Sequence, residues 1–195
     1  MPALRLRYRI MMKYQWLRIL KYRFFSTCKN VVGTPIVNQP VQFVGKGTIR
    51  FHGTVQLGCY PSPFFLNGYT YLEAREPDSI IEIGDGVWFN NSTALISAGP
   101  GIFIGNRTTL GTHCEVLDSD FHDMHPDRRM TGVPKTAKVV IGENVFVGNN
   151  VKILKGVEIG KNSIIANGSV VTRSIPENMA VCGNPAKVVQ RLETE

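Results

Sequence analysis

The chain has 195 residues, 43% of them hydrophobic and 19% charged, which suits one domain with an ordinary apolar core. Its formal net charge of +7 is uneven: residues 1–72 hold ten Lys or Arg and no Asp or Glu, while the remainder holds twelve basic and fifteen acidic side chains. Basicity this local, with no recognition motif beside it, does not indicate nucleic-acid binding, and Cys28, Cys59, Cys114 and Cys182, without a C-x-x-C pair or a cleavable signal peptide, point to a reducing cytoplasm rather than a disulfide framework.

The first element, residues 1–32, is a basic aromatic arm. Arg5, Arg7, Arg9, Lys13, Arg18, Lys21 and Arg23 alternate with Leu4, Leu6, Tyr8, Met12, Trp16, Leu17, Leu20, Phe24 and Phe25. No stretch approaches the ~20 apolar residues of a membrane span. Met12, Trp16, Leu20 and Phe24 have the spacing of one helical face. Two readings follow, and they are compatible: an amphipathic helix lying peripherally on the anionic inner face of a membrane, or a cap over the open end of what comes next.

What comes next, residues 33–182, follows a period of six. Val44-Gly45, Phe51 and Leu57-Gly58 suggest irregular first coils, and Cys59 to Ser79, with three Pro and many aromatics, reads as an insertion. Ile83-Gly84, Phe89 and Leu95 then hold one frame, with Val87 and Thr93 four places after an apolar position. Ser97 to Gly101 adds three residues before Ile104-Gly105, Leu110-Gly111 and Val116 resume. Residues 118–138 abandon the pattern and read as one long excursion loop. From Ile141 the repeat is strict: Ile141, Val147, Ile153, Ile159, Ile165 and Val171, each followed four residues later by Val145, Val151, Val157, Ser163, Ser169 and Ile175.

Helices repeat at three to four residues and strands at two, so a strict six excludes both as simple patterns. A hexapeptide period predicts an all-β solenoid, the parallel β-helix, in which one hexad forms one side of a coil and three close a turn. The Gly after many apolar positions, and Asn144, Asn150, Asn162 and Asn167, suit corners where φ is positive. Such a wall carries no reactive group, so chemistry belongs to the interruptions.

The long loop contains Asp118-Ser-Asp-Phe-His122-Asp-Met-His125-Pro. An imidazole titrates near neutrality and can take a proton from a hydroxyl and return it to a leaving group, which makes His122 the candidate general base. Asp120 or Asp123 would fix its tautomer; spacing does not choose between them. Ser119 and Cys114 lack any nucleophile context and read as loop polarity and corner packing.

The hexads from Ile141, the histidine loop before them, and the closing run Ile175-Pro-Glu-Asn-Met-Ala-Val-Cys-Gly-Asn-Pro-Ala-Lys-Val188 together resemble the hexapeptide-repeat acyltransferases, over about Ile81 to Leu192, and within them the sugar and polysaccharide O-acetyltransferase branch that includes galactoside acetyltransferases. The resemblance implies left-handed coils, a homotrimer, and acetyl-CoA as co-substrate in a groove between coils of adjacent subunits, with no metal. It implies His122 as base and the Asn149 backbone amide as the donor to the thioester oxygen. Ala166, Asn167, Thr172 and Arg173 would line the pantetheine and phosphate path. Pro185 and Lys187, in a C-terminal tail of residues 183–195, would meet the nucleotide end.

On the acceptor side the resemblance implies Asn91 as a sugar contact, with His125 beside it. Gly99 stands where the galactoside enzymes carry an acidic sugar ligand, which directs the expectation from a simple galactoside toward a bulkier glycan, lipid-linked or nucleotide-linked. Sugar N-acyltransferases and serine acetyltransferases share the implied fold and base. A zinc carbonic anhydrase of this fold needs paired His five apart, whereas His113, His122 and His125 are nine and three apart. A non-enzymatic β-helix would lack both the histidine loop and the tail.

Overall fold

Branched side chains placed six apart all turn inward on strands too short to pair within themselves, so each strand must pair with the equivalent strand of the next coil. The computed structural model describes residues 2–193 and resolves this pairing into three sheets. The first runs through Asn30–Val32, Thr48–Phe51, Ile80–Ile83, Ile102–Ile104, Val139–Ile141 and Glu158–Ile159. The second runs through Ile36–Val37, Gln56–Leu57, Trp88–Phe89, Thr109–Leu110, Phe146–Val147, Ile164–Ile165, Met179–Gly183 and Ala186–Arg191. The third runs through Val41–Gly45, Thr70–Ala74, Ala94–Ser97, Glu115–Leu117, Lys152–Ile153 and Val170–Val171. The chain visits the sheets in rotation, and every pairing among them is parallel except the last hairpin.

Register confirms the arithmetic of the hexads. Ile141 pairs with Ile159, Val147 with Ile165 and Ile153 with Val171, each eighteen residues apart. Across Ser97 to Gly101 the interval becomes twenty-one, as Ile83 pairs with Ile104, so the three added residues bulge outward without disturbing the wall. The inward residues form one continuous core: Ile83, Phe89, Leu95, Leu110, Val116, Ile141, Val147, Ile153, Ile165 and Val171 are fully buried. Each such burial is worth about 1.5–3 kcal/mol. The position four later is buried as well, and where it is polar it is satisfied: Ser163 Oγ donates to the Pro176 carbonyl at 3.0 Å and Ser169 Oγ to the Ala166 carbonyl at 2.7 Å.

The corners divide two tasks that the sequence had merged. Asn144, Asn150 and Asn162 do adopt positive φ, near +60°, but Asn167 does not; its neighbour Gly168 takes that role at +72°. Asn side chains also link coils, Asn144 Nδ2 donating to Asn162 Oδ1 at 3.0 Å and Asn162 Nδ2 to Asn178 Oδ1 at 2.8 Å. Gly142, which follows the inward Ile141, has an ordinary φ. It is needed because a Cβ there would sit 2.7 Å from the Lys161 nitrogen and 2.8 Å from the Ile159 carbonyl oxygen.

Three boundaries differ from expectation. Coiling begins at Asn30–Val32, which already pairs with Thr48–Phe51. The insertion after Cys59 ends sooner than its composition suggested, because Thr70–Ala74 is a third-sheet strand in register with its neighbours on both sides. The C-terminal segment is a hairpin, Ala186–Arg191 folding back antiparallel on Met179–Gly183.

The N-terminal arm is a single helix, α1 (Pro2–Phe24), docked against the first coil. Its inner face is Met11, Gln15, Arg18, Ile19 and Tyr22; of the Met12–Trp16–Leu20–Phe24 row, Met12 is half-buried while Trp16 and Phe24 are 58% and 82% exposed, so the helix caps the coil without burying that row. Docking is largely polar. Gln15, fully buried, donates to the carbonyls of Asn38 and Phe65, and Arg18 donates to those of Phe65 and Gly68. Among the described residues no helix is long and apolar enough to cross a membrane.

Because the two glycine tasks differ, so should their substitutions. Gly142→Ala is expected to lower the unfolding free energy by up to about 3 kcal/mol, since backbone of the next coil has to move. Gly168→Ala, with open space around it, should cost about 1 kcal/mol of left-handed backbone strain. Urea denaturation of the two variants checks the order.

Candidate functional site

The excursion loop leaves the coil after the third-sheet strand Glu115–Leu117 and re-enters at the first-sheet strand Val139–Ile141, so it projects from the corner between those sheets. Its root is held by a buried carboxylate. Asp118 accepts from Ser97 Oγ at 2.7 Å, Ala98 N at 2.7 Å, Gly99 N at 3.2 Å and Gly101 N at 2.9 Å. The three-residue bulge and the loop root therefore fix one another. Two more links close the loop's mouth: the Asp120 amide donates to the Lys135 carbonyl at 3.0 Å, and Ser119 bridges Thr136 antiparallel. Lys155, one coil further on, reaches Asp120 at 2.8 Å.

Within that frame His122 is exposed, and its Nδ1 lies 3.3 Å from the Arg129 carbonyl oxygen. A carbonyl only accepts, so this contact selects the tautomer protonated at Nδ1 and leaves the Nε2 lone pair facing outward. The expectation that Asp120 or Asp123 orients the ring is not met, since both are engaged elsewhere: Asp120 pairs with Lys155, and Asp123 accepts from the His125 amide at 2.8 Å and faces Arg128 at 3.5 Å. His125 caps the short 3-10 turn Pro126–Arg128, its Nδ1 accepting from the Asp127 amide at 3.3 Å.

A second support was not anticipated from sequence. Phe121, beside His122 and at φ of +59°, has its ring 4.8 Å from the Arg75 guanidinium carbon. Arg75 is gripped by Glu73 at 2.8 and 3.2 Å, and the Tyr71 hydroxyl donates to the same carboxylate at 3.0 Å. Burial alone would raise the Glu73 carboxyl, but the hydrogen bonds from Arg75 and Tyr71 outweigh it and hold Glu73 below the usual carboxylate range. Burial, reinforced by the bond to Glu73, pushes the Tyr71 phenol up to about 12. The only sequence signal was the alternation Tyr71, Glu73, Arg75, hidden in a stretch assigned to an insertion.

The remaining candidates divide. Asn91 is fully buried: its Oδ1 accepts from Cys59 N at 3.0 Å, and its Nδ2 donates to the Cys59 and Pro63 carbonyls at 3.0 and 2.8 Å. It therefore clamps the loop that starts at Cys59 and is not available as a sugar contact. The Asn149 amide is also occupied, donating to Asn167 Oδ1 at 2.7 Å, so it is not open to a thioester as it stands. Asn149 is exposed with Asn167, and Ala166 is half-buried; all three lie past second-sheet strands, on the corner leading to the third sheet. Thr172 and Arg173, both exposed, follow the third-sheet strand Val170–Val171 on the corner from which the loop departs, and Pro185 and Lys187 are exposed on the terminal hairpin.

Cys114 is buried at a corner, its thiol donating to the Gly148 carbonyl, and desolvation pushes it up to about 11, which agrees with packing rather than nucleophilic chemistry. Among the described residues no three His, Cys, Asp or Glu side chains gather as a metal site.

Residues 138–173 match the family model for the bacterial transferase hexapeptide, six repeats. The chain is 38% identical over 112 residues to a galactoside O-acetyltransferase of Lactococcus lactis, covering 57% of this chain and 53% of that one. It spans about half the length of the relatives it matches. A solved galactoside acetyltransferase in complex with coenzyme A superposes with a TM-score of 0.59 at 25% identity, over 73% of this chain and 65% of that one. A hexapeptide-repeat acetyltransferase of Vibrio cholerae matches over 99% of this chain and 93% of its own at a TM-score of 0.58 and 23% identity, a likeness of fold. The three-sheet coil is thus a left-handed parallel β-helix with one N-terminal helix.

The Glu73 cluster yields a pH prediction. Its folded-state pKa lies below the unfolded value near 4.5, so its stabilisation is complete above that pH and is lost as pH falls through the lowered folded value. Glu73→Gln should flatten this acid limb when urea midpoints are measured at stepped pH values from 6 to about 3.

Proposed function

We infer from the hexapeptide repeats of residues 138–173 and the likeness to galactoside acetyltransferases that the chain is a hexapeptide-repeat acetyltransferase, and we propose on that premise that it is an acetyl-CoA-dependent O-acetyltransferase whose acceptor is a hydroxyl of a sugar or glycan. The observation that carries the reading is His122, exposed on a loop braced at its root, with Nδ1 turned to a carbonyl and Nε2 left as a proton acceptor. In this mechanism His122 takes the proton from the acceptor hydroxyl as that oxygen attacks the thioester carbonyl. The imidazolium is steadied by the Arg129 carbonyl and returns the proton to the departing sulfur. No covalent enzyme intermediate is needed.

Arg173 and Lys187 supply exposed cations for phosphates, and Ala166 and Thr172 offer small surface for an extended arm. The Asn149 amide enters as oxyanion donor only if Asn167 Oδ1 yields it. A homotrimer belongs to the same proposal for two reasons. First, the loop and the Asn149–Ala166–Asn167 corner lie on opposite edges of the third sheet, so a site uniting them draws on two chains. Second, Ile36, Trp88, Phe146 and Ile164, interrupted by Gln56 and Thr109, lie in one row along the outside of the second sheet and are 38–53% exposed, a concentration of apolar surface of the kind that marks an interface.

A cytoplasmic setting fits four unpaired cysteines. The acceptor is of a different class from a simple galactoside. At Gly99 a Cβ would meet the Thr136 Cβ at 2.5 Å, so the acidic ligand of the galactoside enzymes has no room, and Asn91 is consumed internally. A bulkier glycan, lipid-linked or nucleotide-linked, suits an acceptor side formed by the exposed loop with His125.

Incubation with labelled acetyl-CoA and a panel of nucleotide sugars and glycan lipids tests the activity. His122→Ala should lower transfer by 10² to 10⁴-fold without changing the thermal midpoint; undiminished transfer would remove the imidazole from the mechanism. Hydroxylamine lability of the product separates ester from amide. Phe146→Lys should convert the trimer to monomer in light scattering and abolish transfer together with it.

A further inference from the structure

The outward face of α1 is a second functional surface, independent of the transfer chemistry. With Met11, Gln15, Arg18 and Tyr22 turned to the body, the opposite side carries Leu6, Ile10, Leu17, Leu20 and Phe24, which are 60%, 58%, 59%, 39% and 82% exposed. Their positions fall within one narrow helical stripe. Arg7, Arg9, Lys13, Lys21 and Arg23, with Tyr14 and Trp16, line and interrupt that stripe, and α1 contains no acidic residue.

A soluble surface has little reason to hold five large apolar side chains in line, so the stripe has an occupant. Its spacing of four and three residues would also suit a seam between two copies of α1. Charge decides against this. The residues that would flank such a seam are Arg7, Arg9, Tyr14, Trp16, Lys21 and Arg23, and Lys13 sits within it, so a second copy would bring cations against cations on both sides. An anionic bilayer instead accepts the apolar side chains below its headgroups and pairs the cations with its phosphates. Tyr14 and Trp16 suit the level between. An open, mostly apolar cleft of about 780 Å³ lies between the start of α1 and the Cys59 loop; Tyr8, Met11, Tyr60 and Leu66 line it with Arg5, Arg7 and Arg9, so it adds apolar surface edged by cations next to the helix.

We propose that α1 is a peripheral anchor that lays the open first end of the coil on an anionic lipid surface. The polar docking through Gln15 and Arg18 fixes the helix's rotation so that the stripe faces away from the protein.

Flotation of the intact protein with phosphatidylcholine vesicles containing about 30% phosphatidylglycerol should recover bound protein, with at least tenfold less on pure phosphatidylcholine and a similar fall at 0.5 M NaCl. Leu17→Glu with Phe24→Glu, and separately Lys13→Glu with Lys21→Glu, should each reduce binding at least tenfold. Since all four side chains are exposed, thermal midpoint and transfer to a water-soluble acceptor should hold, which keeps this test separate from that of the catalytic reading. Equal binding to both vesicle types, or apolar variants that bind normally, would overturn the proposal. So would a fall in molar mass of those variants without lipid, which would assign the stripe to another copy of the chain.

Discussion

Backbone pairing between coils imposes the constraint on which everything else depends: residues eighteen apart must stack, so each inward position faces its own kind above and below. Columns of Ile, Val, Leu and Phe fill the axis, and any residue added to the chain must leave the wall altogether. The two departures after Ile83, the Ser97–Gly101 bulge and the 118–138 loop, consequently stand outside an undisturbed register. The rigid coil gives the loop a fixed base, and the loop gives the coil chemistry.

Asp118 connects the two departures. Its carboxylate gathers three amides and a hydroxyl from the earlier bulge while its own carbonyl takes the Ala137 amide at the loop's far end. Lys155 and Arg75 approach the loop from two other coils. His122 thus protrudes into solvent although the segment on either side of it is tied to the wall, an arrangement that limits how far an imidazole can drift from its reacting partner.

The coil was legible because its signal is periodic: six-residue spacing shows at every wall position from Ile83 onward, and the three-residue slip at Ser97 was visible as a change of frame. The early coils were less so. Thr70–Ala74 looked like insertion because Tyr71, Glu73 and Arg75 mask the inward Leu72 and Ala74. For α1, spacing identified a helical face but not which face docks, since Gln15 and Arg18 make the contacts by hydrogen bonds that hydropathy does not register. The surroundings of the candidate site residues were legible only in part, for a similar reason. The loop histidine is announced by its context, whereas whether Asn91 points outward or into the Cys59 turn depends on partners distant in sequence.

The hairpin formed by Met179–Gly183 and Ala186–Arg191 has a wider implication. A stack of parallel strands is an unfinished template, ready to accept a further strand from any neighbour at its last rung. By reversing direction there, the chain supplies a strand of opposite sense to its own second sheet. A neighbouring copy therefore meets, at that rung of the second sheet, a strand of the opposite sense rather than the next step of the parallel stack.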